Sequence, residues 1–85
     1  MKEFKYIITD CDGIHARPAG ELVKAAKGFA SEIKIIKDGK EADAKKIFAV
    51  MGLGVKCGQE VSVTVSGDDE ERAAAEMESF MKKNL

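Results

Sequence analysis

Phe4, Tyr6 and Ile8 alternate with Lys5, Ile7 and Thr9, the two-residue period of a strand with one face turned to a core. After a loop-like stretch from Asp10 to Gly13 the period lengthens. Between Ala16 and Lys27 the apolar positions Ala19, Leu22, Val23 and Ala26 fall at helical spacing, and Gly28 follows as a stop. Ile33 and Ile35 alternate with Glu32 and Lys34, and Asp38-Gly39 is the dipeptide that closes a tight hairpin, so two strands are expected there. The run from Ile47 to Leu53 is apolar and short and is closed by Gly52 and Gly54, which predicts one or two helical turns with exposed apolar edges. Val61, Val63 and Val65 alternate with Ser62, Thr64 and Ser66 before Gly67 turns the chain, the cleanest strand pattern present. Asp68 or Asp69 can cap a last helix whose Ala73, Met77, Phe80 and Met81 face inward, with Lys82 and Lys83 suiting its C-terminal dipole.

The expected order is therefore β-α-β-β-α-β-α. Each element has one apolar side, so the elements should form two layers, a four-stranded antiparallel sheet with three helices on one face, an α+β architecture. With 85 residues and no linker, repeat or low-complexity segment, a single domain over 1–85 is expected. A domain of this size buries only about 60% of the surface its unfolded chain exposes. Chemistry must then happen near the surface.

Charge narrows the functional classes. Fourteen basic against fifteen acidic residues give a net charge of −1, without the positive excess of a nucleic-acid binder. No apolar run approaches a membrane span, and Met1 to Lys5 lacks the apolar core of a secretion signal; a cytoplasmic protein without membrane insertion is expected. Cys11 and Cys57 read as free thiols rather than a bridge in that compartment.

His15 is the only histidine and stands immediately before the helix start, followed by Ala16, Arg17 and Pro18. Backbone N–H groups at a helix start lack intrahelical partners, so an anion held there gains hydrogen bonds and the favourable end of the dipole. The same dipole opposes protonation of the imidazole, and only a neutral imidazole nitrogen has a lone pair for attack. Pro18 in the first turn sacrifices no hydrogen bond and stiffens it. Arg17 offers a permanent cationic fork for phosphoryl oxygens. At about 100° per residue, Arg17, Gly20, Lys24 and Lys27 share a stripe beside the apolar arc. With Lys45 and Lys46 they can form a basic rim, and Ile47, Phe48 and Met51 an apolar contact patch. From the residues alone the plainer reading weighs more, a loop histidine beside an ordinary solvated helix face.

A resemblance shifts that weighing. Gly13-Ile14-His15-Ala16-Arg17-Pro18-Ala19 resembles the phosphohistidine motif of the bacterial histidine-containing phosphocarrier (HPr) family. The similarity continues through Val23, Lys24, Ala26, Lys27 and Phe29, then Asp38-Gly39-Lys40, Ala44-Lys45, Leu53-Gly54 and Gly58. It implies an open-faced sandwich of four antiparallel strands and three helices. It also implies phosphorylation of His15 by enzyme I at the expense of phosphoenolpyruvate, transfer to enzyme IIA domains of the sugar phosphotransferase system, and a stabilising role for Arg17. Such a chain is a carrier on which partner enzymes act, with no cofactor and no metal. A monomer is expected, because one face must serve several partners in turn.

The chain departs from the family at two positions. Lys46 stands where many relatives carry a regulatory serine at the start of the short helix, and it cannot accept a phosphoryl group from a serine kinase. A cation at that helix end is also mildly unfavourable. Asp12 stands where relatives often have serine or asparagine; its carboxylate either favours the imidazolium and repels phosphate or simply caps the turn. Two rival motifs are weaker. Tyr6-Ile7-Ile8-Thr9-Asp10-Cys11-Asp12-Gly13 resembles the opening motif of haloacid-dehalogenase-like phosphatases, which need a strand feeding a larger α/β core. A metal site of Cys11, His15 and Cys57 lacks a paired C-x-x-C element and a fourth ligand.

Overall fold

The computed structural model describes residues 1–10, 13–14 and 16–85. Its elements are β1 (Lys2–Ile7), α1 (Ala16–Lys27), β2 (Glu32–Lys37), β3 (Lys40–Asp43), α2 (Ile47–Gly52), β4 (Glu60–Ser66) and α3 (Glu70–Asn84), in the order the sequence pattern predicts. The strands form one antiparallel sheet in the order β1-β4-β2-β3. The most regular apolar alternation thus marks a central strand, β4, and β1 lies at an edge. An edge strand of an antiparallel sheet is not the strand that the phosphatase-like motif would require.

Register puts the apolar residues on one face. Phe4 pairs with Val63 and Tyr6 with Val61, while Ile33 and Ile35 on β2 oppose Val65 and Val63. Ile33, Ile35, Val61, Val63 and Val65 are buried together with Ile8, Leu22, Val50, Met77 and Met81. Ser62, Thr64 and Lys34 on the other face remain partly exposed, so only one side of the sheet is covered. Phe80, expected to face inward, is partly buried and packs against the margin of the core. The β2–β3 turn has positive φ at both central residues, 51° at Asp38 and 81° at Gly39, the backbone that a right-twisted two-residue hairpin needs.

The start of α3 departs from the expectation of an ordinary cap. Asp69 occupies the N-cap position, yet its side chain makes no cap hydrogen bond. Its carboxylate instead accepts from the amides of Ala30 and Ser31, both at 2.9 Å, and from the buried Ser31 hydroxyl. A residue chosen by sequence for a local role thereby ties the α1–β2 loop to the β4–α3 turn. Close by, the Arg72 guanidinium lies 5.4 Å from the centre of the Phe29 ring, within cation–π range.

Hydrogen bonds from Ser31 and Ala30 hold the Asp69 carboxyl below the usual carboxylate range, with the Ser31 hydroxyl the largest cause. A carboxyl depressed in the folded state contributes stability that is full above its unfolded pKa and is lost as pH falls through the folded value. Asp69→Asn should therefore lower the urea midpoint at pH 7. The gap from the parent protein should narrow as the pH falls below about 4, where an unfolded aspartate titrates. Urea unfolding by circular dichroism at several pH values reads this directly, and a gap that stays constant down to acid pH would count against the tie.

Candidate functional site

The segment before α1 is held by backbone groups. Ile14 is buried, and its amide donates to the Val55 carbonyl at 3.1 Å, while the Gly13 amide donates to Asp10 at 2.9 Å. Gly13 has φ of +68°, and a Cβ added there would stand 2.3 Å from the Val55 carbonyl oxygen. Glycine is thus required both by conformation and by the approach of the second backbone. The Ile8 amide donates to Gln59 at 3.0 Å, and the Gly58 amide donates to Ile8 at 2.7 Å. On the far side the Leu85 carbonyl accepts from the Thr9 and Asp10 amides and, at 2.9 Å, from the Thr9 hydroxyl.

His15, the acceptor candidate, lies outside the described residues, as do Cys11 and Asp12, so the alternative readings of Asp12 and the rival Cys11–His15–Cys57 grouping also fall there. Cys57 is exposed, with its sulfur 3.8 Å from the Thr9 carbonyl oxygen. What the structure does describe is the helix that opens next to His15. Helix α1 begins at Ala16, has no acidic residue in its first turn, buries Pro18 and Ala19 and leaves Arg17 exposed. The first-turn amides of such a helix are free to meet an anion, and Arg17 is the nearest described cation in sequence.

Lys24 and Lys27 are exposed on α1, and Gly20 between them and Arg17 is half-buried. Helix α2 packs there: Ile47 Cδ1 lies 3.7 Å from where a Gly20 Cβ would stand. Val50 anchors α2 in the core, whereas Phe48 is 85% exposed and Met51 37% exposed. The expected patch is therefore assembled from α1 and α2, but its members differ. Ile47 joins the two helices, and Phe48 and Met51 offer apolar surface. Lys46 is exposed in extended conformation (φ −123°, ψ 111°) at the α2 N-cap, with no side-chain cap hydrogen bond.

Lys45 is placed differently from a rim cation. Its ammonium donates to the Phe29 carbonyl at 2.8 Å, just past the end of α1, and its own amide is held by the Asp43 carboxylate at 2.9 Å. Sequence reasoning counted it as docking charge because spacing does not reveal a carbonyl sixteen residues away. It also missed Lys37, whose ammonium donates to the Leu53 and Gly54 carbonyls at 3.3 and 3.1 Å and so supports the C-terminal end of α2. A third omission is Glu21, which with Asp10, Arg17, Pro18 and Asn84 lines a cavity of about 70 Å³ beside the start of α1.

A one-layer sheet under three helices, with Arg17 exposed in the first turn of α1 and the only histidine two residues before it in sequence, is the arrangement that a small phosphoryl-carrying protein of the resembled family would have. A family model described as "PTS HPr component phosphorylation site" matches residues 2–83. The chain belongs to the HPr family, the phosphocarrier proteins of the phosphotransferase system; members carry the phosphoryl group and are not catalysts. It is 39% identical over 85 residues to the phosphocarrier protein HPr of Mycoplasma genitalium, covering 99% of this chain and 97% of that one. The HPr crystal structure from Thermoanaerobacter tengcongensis superposes with a TM-score of 0.94 at 39% identity, over 99% of this chain and 94% of the other. A structure of an HPr dimer from the same organism matches with a TM-score of 0.78 at 40% identity, over 98% and 95% of the two chains. No helix among the described residues is long and apolar enough to cross a membrane.

Because Lys46 leaves α2 without a side-chain cap, Lys46→Ser should stabilise the protein by roughly 0.5–1 kcal/mol. Thermal unfolding checks this; an unchanged or lower Tm would show that the lysine makes a compensating contact.

Proposed function

We propose that His15 accepts a phosphoryl group from enzyme I, which draws it from phosphoenolpyruvate, and passes it to enzyme IIA domains. The observation that carries this reading is the opening of α1 directly after His15, with Arg17 exposed in the first turn and no carboxylate in it, in a chain of the HPr family. On loading, the lone pair of a neutral His15 imidazole nitrogen forms the N–P bond while the donor's bond to phosphorus breaks and the donor keeps its electron pair; on donation the acceptor bonds to phosphorus while the N–P bond breaks and its pair returns to the imidazole nitrogen. The first-turn amides of Ala16 and Arg17 and the Arg17 guanidinium stabilise the charge on the phosphoryl oxygens, and Pro18 fixes the turn. Positioning and charge are what such a transfer chiefly requires.

Partners dock on the face built by α1 and α2. Phe48 and Met51 supply its apolar centre, and Lys24, Lys27 and Lys46 its basic rim, which suits partner surfaces with an apolar hollow edged by carboxylates. Lys45 contributes less, since its ammonium is held by Phe29. Having lysine at position 46 removes the option of serine phosphorylation at the α2 start. We further infer a cytoplasmic monomer of one domain, in contrast to the dimer in which one structure of the Thermoanaerobacter tengcongensis HPr is described.

Intact mass after incubation with enzyme I and phosphoenolpyruvate tests the central claim. One phosphate should add, acid-labile and alkali-stable, and His15→Ala should abolish it. No adduct with an enzyme I proven active on another carrier would leave a binding module that uses the same face without turnover. Phe48→Ser should leave stability within about 0.5 kcal/mol, as is usual for an exposed position. It should raise the KM for transfer from enzyme I roughly tenfold or more, a loss of about 1.4 kcal/mol of contact. An unchanged KM would exclude Phe48 from the docking face.

A further inference from the structure

Two strands, β1 and β3, form the edges of the sheet, and an edge strand presents unpaired N–H and C=O groups to whatever chain can match them. The Ile8 amide donates to Gln59 and the Ile8 carbonyl accepts from Gly58, so Ile8 turns its backbone groups toward β4. Antiparallel ladders alternate in this respect residue by residue. Tyr6, Phe4 and Lys2 therefore face β4 as well, and the backbone groups of Glu3, Lys5 and Ile7 point to the free edge. Among the described residues no hydrogen bond outside the sheet reaches those three.

Their side chains stand on the open face of the sheet, where Glu3 is opposite Thr64 and Lys5 opposite Ser62, and Met1 lines the same open-face hollow as Glu3. All four are exposed, Ile7 at 54% and Met1 at 81%. Among the described residues no ion pair uses the side chain of Glu3 or Lys5. Met1 and Ile7 are also the large apolar side chains left exposed outside the face built by α1 and α2.

Two antiparallel copies of β1 related by a twofold axis must set outward-facing residues against outward-facing residues, which leaves few registers. Centred on Lys5, the pairing sets Lys5 against Lys5; centred on Glu3, it sets Glu3 against Glu3. Centred on Phe4, it sets Glu3 against Lys5 twice, Met1 against Ile7 at both ends, and the partly buried Phe4 against its own copy on the helix-covered face. Opposite charges and apolar pairs directly across strands are favourable, and like charges are not. Edge lysines ordinarily discourage pairing, but in this register Lys5 meets a carboxylate. The other edge fails the same test, because β3 (Lys40–Asp43) would set Glu41 against Glu41 or against Asp43.

We propose that two copies of this chain associate through β1, in the register centred on Phe4, to make one continuous eight-stranded sheet. An interface of one six-residue strand per copy is small, so the association is weak and reversible, with a Kd of about 0.1–1 mM. The monomer inferred above remains the form at micromolar concentration. Helix α2 packs on α1 and on β3, at the opposite edge of the sheet, so the face built by α1 and α2 stays bare in both copies of the pair.

The test is sedimentation velocity over a concentration series from micromolar to millimolar, with Tm as the check that each variant stays folded. The parent chain should pass from monomer to dimer. Glu3→Lys and Lys5→Glu should each raise the Kd about tenfold, since each sets like charges across the axis twice. The two variants mixed should pair with one another, and both substitutions in one chain should return the Kd to within about threefold of the parent. A parent chain that stays monomeric at millimolar concentration would overturn the proposal. So would a dimer that the single substitutions leave unchanged, which would point to exchange of β1 between copies or to contact through another face. Loss in both single variants without recovery in the double variant would overturn the register.

Discussion

The amide of Ile14 donates to Val55, the amide of Gly58 to Ile8, and the amides of Thr9 and Asp10 to Leu85. These backbone bonds grip the chain on both sides of the segment that leads into α1. The first comes from the loop after α2, and the last from the end of α3, so elements distant in sequence agree on where α1 begins and which way its N-terminus faces. A helix start is useful for holding an anion only if its direction is fixed before the anion arrives. Ile14, Pro18 and Ala19, all buried, fix that direction from beneath. Gly13 is the concession this requires, since two backbones meet at a distance no side chain permits.

Given that frame, the cations divide into two groups that composition cannot distinguish. Lys45 and Lys37 direct their ammonium groups onto carbonyls near the ends of α1 and α2. There they offset the negative end of a helix dipole and fix how α2 sits over α1. Lys24, Lys27 and Lys46 stay in solvent. The proposed docking face is thus basic although the chain carries a net charge of −1, because its acidic residues lie mostly elsewhere, on the open sheet face and α3. Glu21 is the exception on α1.

The strands and helices were legible because each carries one unbroken apolar period. Val61, Val63 and Val65 announce β4, and the stretch from Ala16 to Lys27 announces α1 with the observed bounds. Asp38-Gly39 announces its turn because few other dipeptides accept two positive φ values. What could not be read were long-range polar contacts. Asp69 looks like a cap in sequence, but the amides of Ala30 and Ser31 reach it first. Lys45 looks like a docking charge until the carbonyl of Phe29 is placed beside it. At the site, His15 and Arg17 were nominated by their place at a helix start and by resemblance, whereas the cavity shared by Arg17 and Glu21 depends on where α3 ends, which no local pattern specifies.

These features follow from size. A chain of 85 residues covers one face of a four-stranded sheet and has no second layer in which to enclose a reacting group. Its site must lie at the surface, where water is present and fields are screened. Strong catalysis of the kind that needs a dry cavity is therefore unavailable to the chain alone. The transfer function proposed above is compatible with that limit, because a docked partner would supply the missing wall and the dry environment at the moment of transfer. Among the described residues Phe48 and Met51 are large apolar side chains left exposed, and a partner closing over the face they share with α1 would exclude water there. A small open surface is thus the physical condition for passing the same group between two different proteins, since the face that receives must be bare again before it can give.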